Sequence, residues 1–169
     1  FRRVLFRSGV QIGIDAIEGL SAAGMRVALV CARFNTDLTT RLEAGARTAL
    51  VGLGAADTDV VTVWVPGALE VPIAALHAAQ SGRFDAVVGL GAIVRGETYH
   101  FEVVSNESAS GLMHVGLTTG VVVTNGILTL ETVQQALDRL GGSHGHKGAD
   151  AAIAAVETLT AIRNSLSGH

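Results

Sequence analysis

The chain has 169 residues, 49% apolar and 16% charged, with a formal net charge of −3 and a mean hydropathy of +0.44. That length suits one domain with a full core, and no run reaches the ~18–20 continuous apolar residues of a membrane span. The cations are scattered among only five Phe, one Tyr and one Trp, so neither a phosphate-tracking groove nor a base-stacking platform is visible and no nucleic-acid partner is expected.

The opening octapeptide "FRRVLFRS", residues 1–8, has no apolar h-region behind its charges and does not read as a signal peptide. It resembles the in-frame translation of a sequencing adapter, so residues 1–8 are expected to be a non-native artefact and 9–169 a single domain. "GVQIGIDAIEGL" (9–20) is extended in pattern and is a candidate N-terminal edge strand, in this sheet or in a neighbour's.

Four runs follow that are almost continuous in Val, Leu and Ile: "MRVALVCA" (25–32), "DVVTVWV" (59–65), "DAVVGLGAIV" (85–94) and "GVVVTNGILT" (120–129). This is the pattern of parallel strands covered on both faces. Helical patterns separate them. Residues 36–54 place Leu38, Leu42, Ala46 and Leu50 at four-residue spacing and stop at Gly52 or Gly54; 69–82 ends at Gly82; 105–120 is weaker, with Gly111 and Gly116 inside it. "ETVQQALDRLGG" (131–142) and "KGADAAIAAVETLTAIRNSL" (147–166) close the chain. Strands alternating with helices through short connections give right-handed βαβ units. The expected fold is α/β: a three-layer, flavodoxin-like open sheet of four parallel strands with helices on both faces. The apolar excess over one small core points to surface buried a second time, in an oligomer. The single Cys31 cannot form an internal disulfide and fits a reducing, cytoplasmic compartment.

In such a sheet, ligands bind beyond the carboxyl ends of the strands. The chain there reads "RFN" (33–35), "PGALE" (66–70) and "RGETYH" (95–100). Phe34 is either a stacking platform for a flat ring or a loop residue returning to the core, and Asn35 either caps the next helix or binds ligand. "PGALE" offers backbone N–H groups near a helix start for hydroxyls or anions, or is an ordinary turn. His100 is the one His of six on this edge with acidic and basic neighbours close by, which makes it the candidate proton carrier. His77 reads as a mid-helix residue, at the surface or internally satisfied, and His114 as helical. "HGH" (144–146) has metal-like spacing but no companion ligands, so no metal is expected. Arg139 and Lys147 bound a Gly-rich turn and are either a phosphate clamp or two solvated charges. No Walker or dinucleotide fingerprint follows a strand.

"RFN", "WVPGALEVP", "GAIVRGETYHFEVVSNE", "NGILT", "QALDR" and "HKGADAA", in this order and spacing from about Gly24 to Ser165, resemble the lumazine synthase family. The resemblance implies the penultimate step of riboflavin biosynthesis, a transferase reaction without cofactor or metal. In it 5-amino-6-(D-ribitylamino)uracil condenses with 3,4-dihydroxy-2-butanone 4-phosphate to 6,7-dimethyl-8-ribityllumazine, releasing phosphate and water. It implies that Phe34 stacks on the pyrimidine, that Asn35, Ala68, Leu69 and Glu70 hold the ribityl chain, and that Ala92, Ile93 and Val94 contact the pyrimidine through backbone, with Asn125 nearby. Glu97, Thr98 and Arg139 would bind phosphate, Lys147 would assist, and His100 would move protons. The family forms homopentamers with active sites between adjacent subunits, in some members gathered into sixty-subunit icosahedral shells, and the short "LGGSHGHKG" favours the shell. Riboflavin synthase is the protein partner it suggests. Leu69, Leu130, Tyr99 and "EVV" (102–104) depart from the family's usual residues and bear on substrate affinity. Alternatives of other classes are a flavin- or pterin-binding module without catalysis and a capsule whose work is enclosure.

Overall fold

The computed structural model describes residues 19–166. The octapeptide and nearly all of the candidate N-terminal edge strand lie outside that range. Strand β1 (Val27–Ala32), helix α1 (Thr36–Gly52), β2 (Val60–Val65), α2 (Val71–Gln80), β3 (Ala86–Val94), α3 (His100–Thr119) and β4 (Val122–Leu130) alternate along the chain. Helix α4 (Val133–Asp138), a small hairpin of β5 (Leu140–Gly142) and β6 (Gly145–His146), and α5 (Lys147–Ser165) complete it. The main sheet has the order β2-β1-β3-β4 with every pair parallel, as its Val-rich runs predict.

Two apolar cores cover the two faces. Leu42, Leu50, Val88, Leu90, Ala152 and Val156 belong to the core that joins α1 and α5 to one face. Val30, Val71, Ala75, Val87 and Leu112 belong to the core that joins α2 and α3 to the other. β1 is buried along its whole length, and burial pushes the Cys31 thiol up to about 12, with the Glu43 charge acting in the same direction. Glycines let the layers approach. A Cβ on Gly148 of α5 would stand 2.1 Å from the Leu42 carbonyl oxygen of α1, and one on Gly111 would stand 2.7 Å from Pro72, so neither close helix approach tolerates a side chain.

Three sequence expectations are corrected. β2 is an edge strand and is not covered on both sides: Val63 and Trp64 are exposed. α3 starts at His100 rather than at Ser105, because "HFEVV" contains no breaker and Glu102 suits the positive end of the helix dipole. The helix expected over 131–142 stops at Asp138, where the chain turns into the β5–β6 hairpin through Gly141 (φ 104°) and Gly145 (φ 73°).

Candidate active site

The loops after β1, β2 and β3 and the start of α3 enclose one cavity of about 500 Å³. After β1 the chain stays beside the end of β2: Arg33 N–H donates to Val65 O at 2.8 Å and Phe34 N–H to Pro66 O at 3.1 Å. Asn35 then takes a left-handed conformation (φ 58°, ψ 47°), the one non-glycine among the described residues with positive φ. Asn35 stands at the N-cap position of α1, yet its side chain does not cap the helix. Its Nδ2 donates to the Ala92 carbonyl oxygen at 2.7 Å. The turn throws Phe34 outward, 76% exposed, so its ring does not return to the core and instead walls the cavity.

After β2, Gly67 leads into a short 3₁₀ turn, Ala68–Glu70, that runs into α2 with Pro72 in the first turn, where its missing N–H does no harm. The Glu70 carboxylate folds back until Oε2 lies 3.0 Å from where a Cβ on Gly67 would be. β3 forms the floor. Its register with β1 ends at Cys31↔Leu90, but the strand continues to Val94. The β1-facing edge of Gly91–Val94 therefore has no strand beside it, and buried backbone groups demand partners; Asn35 supplies one to Ala92, and a ligand can supply others.

The rim is the turn from Arg95 to Tyr99 and the first turn of α3. Thr98, His100, Phe101 and Val104 line the cavity there. Arg95 donates from Nε to Glu131 Oε2 at 2.6 Å and from Nη1 to Glu102 Oε1, and its guanidinium carbon sits 4.1 Å from the centre of the Phe101 ring. The Arg95 guanidinium holds the Glu102 carboxyl below the usual carboxylate range.

Of the residues singled out in the sequence, Phe34, Asn35, Ala68, Leu69, Glu70, Ala92, Ile93, Val94, Thr98 and His100 all line this one cavity. Glu97, Asn125, Arg139 and Lys147 do not. Glu97 is exposed on the β3–α3 turn. Asn125 pairs with Gly89, three residues back from Ala92, and its Oδ1 accepts the Ile127 N–H at 2.9 Å. Arg139 and Lys147 are brought together by the hairpin, Lys147 N–H donating to Arg139 O at 2.8 Å. The Arg139 Nη1 donates to Gln135 O at 3.0 Å and Lys147 Nζ pairs with Asp150 at 2.8 Å. His144 Nδ1 lies 3.0 Å from the Ser143 hydroxyl, and His146 caps α5 by accepting the Ala149 N–H at Nδ1. Sequence reasoning missed Phe101 and Val104, which share the cavity face with His100 once the helix is started at its true first residue, and Ala32 at the end of β1; Gly67 and Gly96, within the turns it selected, line the cavity too.

An exposed aromatic ring, a floor of strand backbone edges, a carboxylate and an imidazole at the rim together suit a flat polar heterocycle whose reaction needs proton transfer. Comparison with known proteins agrees. Residues 24–163 match the family model described as 6,7-dimethyl-8-ribityllumazine synthase. A protein of Gemmatimonas aurantiaca named 6,7-dimethyl-8-ribityllumazine synthase is 48% identical over 146 residues, covering 86% of this chain and 89% of that relative. With both matches running through the cavity-forming loops, the chain belongs to the 6,7-dimethyl-8-ribityllumazine synthase family.

Proposed function

We propose that this chain condenses 5-amino-6-(D-ribitylamino)uracil with 3,4-dihydroxy-2-butanone 4-phosphate in this cavity, giving 6,7-dimethyl-8-ribityllumazine, phosphate and water. The observation that carries the assignment is the gathering of Phe34, the β3 backbone edge and His100 around a single space. Phe34 stacks on the pyrimidine, whose polar edge meets the backbone of Ala92, Ile93 and Val94. The ribityl chain runs along Asn35 and Ala68–Glu70. The amine attacks the ketone and water leaves as the imine forms; phosphate is then eliminated, and ring closure expels a second water. His100 carries protons between these steps. Both substrates are intrinsically reactive, so holding amine and ketone together supplies much of the acceleration, and the imidazole adds about 10²- to 10⁴-fold.

Phosphate falls to Glu97, Thr98, Arg139 and Lys147, with Arg139, Lys147 and Asn125 reaching the cavity of an adjacent copy. Two observations support a shared site: no Arg or Lys is among the described residues lining the cavity, and Phe34, Leu69, Ile73, Tyr99, Met113 and Leu117 present exposed apolar surface. The assembly is then a homopentamer in the cytoplasm, with the short β5–β6 hairpin consistent with a sixty-subunit shell and riboflavin synthase as a partner. Sedimentation of the purified protein separates pentamer from shell.

The test of the function is direct. Mixing the protein with the two substrates produces lumazine absorbance, and His100→Ala slows its appearance about 10²-fold or more. An assembled protein that forms no lumazine is a binding module or a capsule, and the assignment fails.

A further inference from the structure

We infer that Arg95 is a positioning residue for this reaction, holding the first turn of α3, and with it His100, against the turn that opens α4. The inference rests on the function proposed above. It begins from a weakness in the chain: α3 starts at His100 with Tyr99 at its N-cap and no side-chain cap, so the orphan N–H groups of its first turn do not fix where the helix begins. Among the described residues, backbone bonds into Tyr99 O (from Glu102 N–H at 3.1 Å and Val103 N–H at 3.3 Å) and a long contact, His100 N–H to Thr98 Oγ1 at 3.4 Å, tie Tyr99 to the helix, but no side chain ties Gly96 or Glu97 to it.

Arg95 supplies the missing anchor from the last position before that turn. Its backbone N–H continues the sheet by donating to Leu130 O at 2.8 Å, which makes the base of the side chain part of a rigid element. From there the planar guanidinium makes three engagements: Glu102 on α3, Glu131 at the end of β4, and the face of Phe101. The contact from Arg95 to Glu102 closes the turn into a ring. Glu102 depends on it, because Oε2 is buried without a hydrogen-bond partner among the described residues and Arg95 is the cation that answers the charge. Phe101, over whose ring the guanidinium lies, is also one of the residues lining the cavity. Glu131 extends the chain of contacts further. Its N–H donates to Gln135 Oε1 at 2.8 Å, and Gln135 O receives Arg139. One cation thus joins the helix of the proton carrier to the helix that presents the phosphate-binding arginine.

The role requires a fork and a flat face, which a lysine lacks. The test compares Arg95→Gln, Arg95→Lys, Glu102→Gln and Arg95→Gln/Glu102→Gln with the intact enzyme, by kcat, by KM for each substrate, and by assembly size. The expected result is a fall in kcat of about 10- to 100-fold for Arg95→Gln, with KM for the aminouracil changed less than about twofold, since the Phe34 and β3 walls remain. Arg95→Lys fails to restore the rate. The double variant is no worse than Arg95→Gln, because both changes remove one contact. Unaltered kcat in assembled Arg95→Gln, full rescue by lysine, or additive losses would each overturn the role. If Arg95→Gln does not assemble, the near-isosteric Glu102→Gln decides alone: a kcat-specific loss supports the role and unchanged kinetics defeat it. An intact enzyme without turnover would instead refute the function on which the inference stands.

Discussion

Asn35 joins the end of β1 to the end of β3: its Nδ2 donates to the Ala92 carbonyl oxygen at 2.7 Å from a left-handed backbone with φ 58°. Asn is suited to both demands, since it tolerates this conformation better than other side chains and carries an amide donor. The same residue therefore fixes the direction of Phe34 and satisfies the cavity floor.

Replacing Asn35 separates the two effects. Asn35→Ala loses the bond and strains the turn, and should destabilise the protein by about 1–3 kcal/mol. Asn35→Gly keeps the turn and loses only the bond, so its thermal midpoint should lie between those of wild type and Asn35→Ala. Thermal unfolding of the three proteins checks the order; equal midpoints for the two variants would show that the backbone conformation carries no strain.

Gly148 makes the α1–α5 contact possible. With a Cβ only 2.1 Å from Leu42 O, Gly148→Ala must push the helices apart, and a loss on the order of 2–3 kcal/mol is expected. Gly45→Ala meets the His146 ring at 2.0 Å and should also destabilise. Chemical denaturation measures both, and wild-type stability in Gly148→Ala would contradict the packing described.

His146 ties stability to pH. Burial lowers its pKa below the ordinary 6.5, outweighing the opposite pulls of its own backbone hydrogen bond, the Asp150 charge and the Arg41 backbone. Arg41 also shares the groove in which the ring lies. Above 6.5 the ring is neutral in both folded and unfolded chains. As pH falls below that value the unfolded chain takes up a proton that the folded one resists, so stability is lost progressively towards the folded pKa. His146→Asn keeps a capping acceptor without titrating in this range. Its thermal midpoint should fall less between pH 7.5 and pH 5 than that of the wild type (about the window of an imidazole); parallel profiles would remove His146 from the account.

The sequence revealed the sheet and most of the cavity for one physical reason. β1 and β3 are buried on both faces, so their composition is constrained at every position, and the polar turns "RFN", "PGALE" and "RGETYH" stand out against them. The same logic misread β2. A continuous Val run is the pattern of double burial, yet Val63 and Trp64 are exposed in the single chain, and composition does not distinguish a face covered by this chain from one awaiting another. The start of α3 was hidden because no side-chain cap marks it, and the ion pair from Arg95 to Glu102 across the turn is not visible in the local pattern. The hairpin was hidden because Leu140–Gly142 and Gly145–His146 lack β-formers and turn through glycine. Arg139 and Lys147 were recognised as a pair, but their distance from the cavity is a property of the fold and not of their spacing.

The most direct measurement is complementation between two impaired variants, His100→Ala and Arg139→Ala, each assayed alone and after co-expression in one assembly. If each site takes His100 from one chain and Arg139 from its neighbour, about one site in four of a random ring is complete, and the mixture's activity rises well above that of either parent. If the mixture shows only the mean of its two parents, both residues serve the same chain's cavity and the shared site is wrong.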